Sequence, residues 1–205
     1  MQPALPTLLP PWSPPAPITI AILGAPRLIV HERDIPIRGG GKSETLLLTL
    51  ALVHRAPIAR PTLLTARWPN EEPTIAGNAL NTLTSELNKK GRAAIRTAEG
   101  RNDNLICHEE GDYRLHSEAG VGTDVEYFDR WSSEGLRRLK AGDGIAGITY
   151  CRQALALYRG DISGDGLTAL LERERLRATR LDLLTALADY HATTRPCGDI
   201  TACYR

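Results

Sequence analysis

Cysteine pairs, metal-ligand spacings, long apolar runs and excess charge of either sign are all scarce in this 205-residue chain. Each scarcity excludes a class of protein. The four cysteines, Cys107, Cys151, Cys197 and Cys203, form no C-x-x-C pair, which argues against a zinc site and a disulfide framework and favours reduced thiols in a cytoplasm. His31, His54, His108, His116 and His191 show no ligand spacing either, so no metal or other cofactor is expected. The longest apolar stretch, around Leu46 to Val53, is interrupted by Thr49 and falls short of the roughly 18 residues a membrane span needs. No nucleophile, acid–base pair or metal cluster assembles from the sequence, so catalytic residues are not expected.

The N-terminus has no basic region ahead of its apolar residues, and Pro3, Pro6, Pro10, Pro11, Pro14, Pro15 and Pro17 stud it. It is not a signal peptide; residues 1–17 read as a Pro-rich, disordered leader. The remaining length suits two compact domains, and a composition of 42% apolar and 24% charged residues is that of a folded, water-soluble protein.

Charge does not advertise a polyanion partner. The net formal charge is +1, and the halves differ little: residues 18–116 carry 13 Lys/Arg against 11 Asp/Glu, residues 117–205 carry 12 against 13. Any field facing a nucleic acid must come from local arrangement.

What is present is an order of elements. Ile18 to Leu23, Arg27 to Val30 and Ile35 to Ile37 are β-branched segments separated by turn formers, which predicts a small antiparallel sheet. Lys42 to Arg55 places Leu46, Leu47, Leu50 and Val53 on one helical face, and Pro61 opens a short helix carrying Leu63, Leu64 and Trp68. Ala76, Leu80, Leu83 and Leu87 step by four, three and four along a third helix that is expected to end before Gly91. Leu105 to His108 and Tyr113 to Leu115 flank a turn-rich tetrapeptide, Glu109 to Asp112, predicting a β-hairpin. Sheet, three helices and hairpin is the order of a winged helix, expected over residues 18–118.

Gly120 and Gly122 mark a boundary, and from Thr123 the signal is helical. Val125, Phe128, Leu136 and Leu139 precede Ala141-Gly-Asp143, then Ile145, Ile148, Leu155 and Tyr158 precede Gly160, and a longer helix runs from Leu167 to Thr193. Trp131, Tyr127 and Phe128 are expected in the core, and the run from Glu172 to Arg180 as a solvated, self-paired face. The chain stops as another helix begins, so residues 123–205 are expected to be a truncated helical domain, or one whose last face a partner covers.

These residues resemble the SARP-type activators, in which an OmpR-like winged helix precedes a bacterial transcriptional activator domain of tetratricopeptide-like helices. The resemblance rests on Leu63-Leu-Thr-Ala-Arg-Trp68, Asn78-Ala-Leu80, Gly111-Asp-Tyr-Arg-Leu115 and Asp124-Val-Glu-Tyr-Phe128 in the order the family has them. Ala141-Gly-Asp143, Ala154-Leu-Ala-Leu-Tyr-Arg-Gly160 and Leu171-Glu-Arg-Glu-Arg-Leu176 continue it. It implies an α+β winged helix followed by an all-α domain, a sequence-specific regulator of double-stranded DNA that recruits RNA polymerase, and a homodimer or higher oligomer on repeated half-sites.

Within that fold the third helix, about 74–90, is the recognition helix. Burying its leucines turns Asn78, Asn81, Thr82, Ser85, Asn88 and Lys89 outward, a polar face suited to base edges in the major groove. Phosphate contacts are expected from Lys42, Arg60, Thr62, Lys90, Arg92, Arg96 and Arg101. The acidic hairpin tip, Glu109, Glu110 and Asp112, is unsuited to a minor groove. With the low net charge, it motivates a rival reading, an interaction adaptor with little DNA affinity.

Two strings mimic ligand loops. Gly39-Gly-Gly-Lys-Ser43 lacks the first glycine of a phosphate loop, whose place falls at Pro36. Asp161-x-Ser163-x-Asp165-Gly166 with Glu172 has near-calcium-loop spacing; it is expected to be a turn.

Overall fold

The structure, a computed structural model, describes residues 16–30, 33–36, 41–53, 56–99, 104–164 and 166–194, with the backbone alone for 36 and 94–99. Of the expected leader only Ala16 and Pro17 are described, and the segment after Thr194 lies outside the described residues. The chain divides into two compact units, the first comprising the described part of Met1–Ile22 with Pro26–Thr123, the second Leu23–Ala25 with Asp124 onward.

The first unit opens with strands β1 (Ile18–Ala21), β2 (Arg27–Val30) and β3 (Arg33–Pro36). Consecutive antiparallel pairing sets Ile20 opposite Leu28 and Leu28 opposite Ile35. Helices α1 (Lys42–Leu52), α2 (Arg60–Arg67) and α3 (Pro73–Glu99) follow. The two-residue strand β4 (Ile58–Ala59) precedes α2, and β5 (Ile106–Glu109) and β6 (Asp112–Leu115) form the hairpin. The wing sheet has the order β4-β6-β5, so β4 extends the expected hairpin. Its tip is a two-residue turn, Glu110-Gly111, with both residues at positive φ (52° and 91°), the conformation whose twist matches a hairpin.

After a 3-10 turn at Ser117–Ala119, Gly120 reverses the chain at φ 79°. There β7 (Val121–Thr123) pairs parallel to β1 and completes a four-stranded sheet, β3-β2-β1-β7. The core of the unit joins Leu46, Leu47 and Leu50 of α1 to Leu63, Trp68, Ala76, Leu80 and Leu87, closed by Ile106, Tyr113 and Leu115 of the wing. Leu83, expected in the core, is half-buried. α3 is longer than expected, because Gly91 does not end it. Gly91 is buried, and a Cβ there would lie 2.2 Å from Cγ of Leu105, so it is the point where the wing segment packs onto α3.

The second unit is helical: α4 (Asp124–Lys140), α5 (Gly144–Leu157) and α6 (Leu167–Thr194). Asp124 is buried at the start of α4, and its Oδ2 accepts the backbone N–H of Leu23 at 2.9 Å. α4 and α5 approach closely through glycine, since a Cβ on Gly135 would meet Sγ of Cys151 at 2.7 Å and its backbone nitrogen at 2.9 Å. α6 contributes Ala169, Leu176 and Leu183, spaced by seven, to the core. On its other faces Leu167, Leu170, Leu171, Leu181 and Leu184 are exposed. The Glu172–Arg180 face pairs within itself at a spacing of three residues, not four, through Glu172–Arg175 and Glu174–Arg177, and it also reaches other elements, Arg175 to Asp129 and Arg177 to Asp161. Tyr127 and Phe128 are buried and Trp131 is half-buried beside Tyr127, with ring centroids 6.0 Å apart.

The oxygens of the calcium-like loop are held by arginines. Asp161 accepts from Arg177, Glu172 from Arg175, and Arg173 donates to the carbonyls of Ile162 (3.0 Å) and Gly164 (2.7 Å). Asp165 lies outside the described residues. At the glycine-rich string, Lys42 begins α1 with its Nζ 5.4 Å from the centre of the Trp68 ring.

Candidate nucleic-acid interface

α2, the turn Trp68–Glu72 and α3 make a helix-turn-helix. Trp68 closes α2 by donating its N–H to Leu64 O at 2.8 Å, and Pro73 begins α3. Glu72 caps the start of α3: its Oε2 accepts the N–H of Ile75 (3.2 Å) and its Oε1 the hydroxyl of Thr74 (2.9 Å). The Thr74 hydroxyl holds the Glu72 carboxyl below its ordinary pKa.

At 100° per residue, Asn78, Asn81, Thr82, Ser85 and Lys89 fall within roughly 100° of arc on α3. All five are exposed, as are Lys90, Thr62 and Lys42. Their hydrogen-bonding freedom differs. Thr82 donates its hydroxyl to Asn78 O at 2.9 Å, leaving the oxygen lone pairs and the methyl outward. Arg92 is half-buried and lines a polar groove with Asn81, Thr84, Ser85, Asn88, Asn104, His108 and Tyr113, between α3 and the wing. The side chain of Arg96 and all of Arg101 lie outside the described residues.

Two side chains expected to face outward are turned inward. Asn88 is 8% exposed; its Oδ1 accepts the N–H of Ile106 at 2.8 Å and its Nδ2 donates to the carbonyl of Ile106 at 3.1 Å. β5 is the outer strand of the wing sheet, so its outward backbone groups lack a strand partner, and one amide side chain on α3 satisfies both. Arg60, expected at a phosphate, folds onto the domain instead: Nη1 donates to Tyr113 Oη (2.6 Å) and Asn81 Oδ1 (2.9 Å), and Nη2 to Gly77 O (3.1 Å). Three oxygens converging on one guanidinium outweigh an exposed alternative. The Tyr113 hydroxyl is the wing's anchor point, and its ring stacks on His108 with centroids 4.3 Å apart.

The wing is less acidic than its sequence. Arg114 pairs with Glu109 (3.2 Å) and Glu118 (3.5 Å), and the Cys107 thiol and Arg114 hold the Glu109 carboxyl below its usual range. Glu110 and Asp112 remain at the tip.

Residues 123–201 match the bacterial transcriptional activator domain. Over 170 residues the chain is 28% identical to the regulatory protein DnrI of Streptomyces peucetius, an alignment covering 78% of this chain and 60% of that protein. Among solved structures, EmbR of Mycobacterium tuberculosis, in complex with a low affinity phosphopeptide, shares the fold with a TM-score of 0.57. That likeness covers 86% of this chain and 44% of EmbR at 19% identity. The chain thus spans less than two thirds of the length of either relative. Among the described residues no helix is long and apolar enough to cross a membrane, and no three His, Cys, Asp or Glu side chains gather as for a metal ion. Residues 123–201 thus carry a bacterial transcriptional activator domain, and with the winged-helix order ahead of it the chain is similar to the SARP-type transcriptional activators.

Proposed function

We propose that the first unit binds double-stranded DNA with α3 in the major groove, reading bases through Asn78, Asn81, Thr82, Ser85 and Lys89. The observation that carries this reading is the exposed polar stripe on the second helix of a helix-turn-helix, beside a wing whose backbone that same helix secures. Lys42, Thr62, Lys90 and Arg92, with Arg96 and Arg101, supply phosphate contacts that fix register without reading sequence. Arg60 is left out of that set because three of its donors hold its guanidinium within the domain.

A unit carrying so little net charge grips phosphate weakly on its own, so protomers act in pairs on repeated half-sites. The helical unit, with Leu167, Leu170, Leu181 and Leu184 exposed on α6, serves that association and the recruitment of RNA polymerase. The protein works in the cytoplasm as a regulator without catalytic turnover.

The test is binding of the full chain to duplexes from its own promoter region as salt is raised. The five Lys and Arg phosphate contacts per protomer give a slope of log K against log salt near −4.5, a loss of about 500-fold between 50 and 200 mM. No detectable binding at low salt, even on paired sites, would favour the adaptor.

A further inference from the structure

We infer that Arg60 sets the specificity of Asn81, holding it as a donor-only reader that selects the keto bases, guanine or thymine, over adenine. The inference rests on the major-groove reading proposed above and assigns what one residue of that face can recognise. An asparagine usually reads adenine with both ends of its amide, the oxygen accepting from N6 and the NH2 donating to N7. Here the oxygen is committed. Asn81 Oδ1 lies 2.9 Å from Nη1 of Arg60 and 3.5 Å from the hydroxyl of Tyr113.

The orientation of the amide follows from chemistry alone. A guanidinium has donors and no acceptor, so only the oxygen of Asn81 can face it. The bond is charge-assisted and stronger than a neutral amide bond to a base edge. With the oxygen drawn toward the wing, the two N–H donors of Nδ2 are the part of the exposed side chain left to the groove. They match N7 and O6 of guanine or O4 of thymine, and they leave the N6 donor of adenine without an acceptor.

The clamp is built into the sequence at several points. Arg60 Nη2 reaches the carbonyl of Gly77, one helical turn before Asn81, so the fork spans two levels of α3. Gly77 leaves room for the guanidinium: a Cβ there would lie 2.8 Å from Nη2, so a larger residue would displace the fork from α3. The backbone N–H of Arg60 donates to Gly111 O in the wing turn at 2.9 Å, and Nη1 is fixed by the Tyr113 hydroxyl at 2.6 Å. Arg60 is therefore a positioning residue that fixes Asn81 relative to the hairpin.

The experiment is selection from a randomised duplex pool by the full chain, carried through for wild type, Arg60→Gln and Asn81→Asp, with thermal unfolding of each. Wild type should enrich guanine or thymine at the pair facing residue 81. Asn81→Asp keeps one oxygen on Arg60 and turns the other to the groove as an acceptor, so preference at that pair should pass to the amino bases, cytosine or adenine. Arg60→Gln releases the amide, and adenine should gain there by about 5- to 150-fold, the range of one bidentate base contact. Should Arg60→Gln not fold, Asn81→Asp still decides. An adenine preference in wild type that Asn81→Asp erases, or no change at any pair in either variant, overturns the inference and leaves DNA reading intact. If wild type enriches no motif at all, DNA reading itself falls, and the inference with it.

Discussion

Replacing Asn88 by alanine removes the single side chain that satisfies both outward backbone groups of Ile106 on the outer wing strand. Ile106 is 1% exposed and Asn88 8%, so water has little access once the amide is gone. A buried polar group left without its partner costs about 1–3 kcal/mol, and two are stranded here. If both stay dry the loss approaches about 4 kcal/mol; if the site opens enough to admit one water, it falls to about 2. In a domain of this size each kcal/mol lowers Tm by roughly 4–8 °C, so a drop of at least about 8 °C is expected. Asn88→Asp should be comparably destabilised near neutral pH, because it sets a carboxylate against the Ile106 carbonyl. Its deficit should shrink as pH falls and the acid regains a donor. The assay is chemical denaturation of the full chain with native-state hydrogen exchange read at the Ile106 amide. Ser85→Ala, exposed on the same helix, serves as the control and should stay within about 0.5 kcal/mol. A loss below 0.5 kcal/mol for Asn88→Ala, with Ile106 still protected, would refute the staple.

Two further outcomes concern the helical unit. Gly135→Ala forces a methyl to within 2.9 Å of the Cys151 backbone, so α4 and α5 must part. Alanine's helix propensity returns about 1 kcal/mol against an overpacking cost of about 1–3, and denaturant titration should show a net loss of up to about 2 kcal/mol rather than the gain of about 1 expected at an open helix site. The Arg177 guanidinium, with the Tyr158 hydroxyl, holds the Asp161 carboxyl down at about 2 against an ordinary 3.8. A depressed folded value stabilises above the unfolded one, so this contribution is complete above about pH 4 and disappears as pH falls toward 2. The Tm difference between wild type and Asp161→Asn should follow that window and diminish with added salt, since both partners are substantially exposed.

The order of elements was legible because it rests on periodicity: the leucine stripe of α3, the alternation around Glu110-Gly111 and the glycine turn at Ala141-Gly-Asp143 are local signals. What escaped is non-local. β4 and β7, of two and three residues, are too short to carry a period and exist through their partners β6 and β1. Gly91 reads as a helix end, yet the helix continues through it because Leu105 needs the space a side chain would fill. Arg60 and Asn88 look like surface polar residues until the wing, 53 and 18 residues further on, brings Tyr113 and Ile106 against them. The same holds for Asp161, whose spacing suggests a cation loop but whose oxygen is taken by Arg177 from the next helix. Helical phase alone correctly turns Asn78, Asn81, Thr82, Ser85 and Lys89 outward; it is silent on the Arg60 bond that fixes Asn81.

The most direct test of the central claim compares two kinds of α3 variant on the duplex the full chain selects. Ser85→Ala or Asn78→Ala should cost about 1–3 kcal/mol at particular base pairs only, whereas Lys90→Ala should weaken all sequences alike and reduce the salt slope by about 1. Equal losses on unrelated duplexes for every variant, or binding indifferent to all three, would contradict a major-groove reading helix.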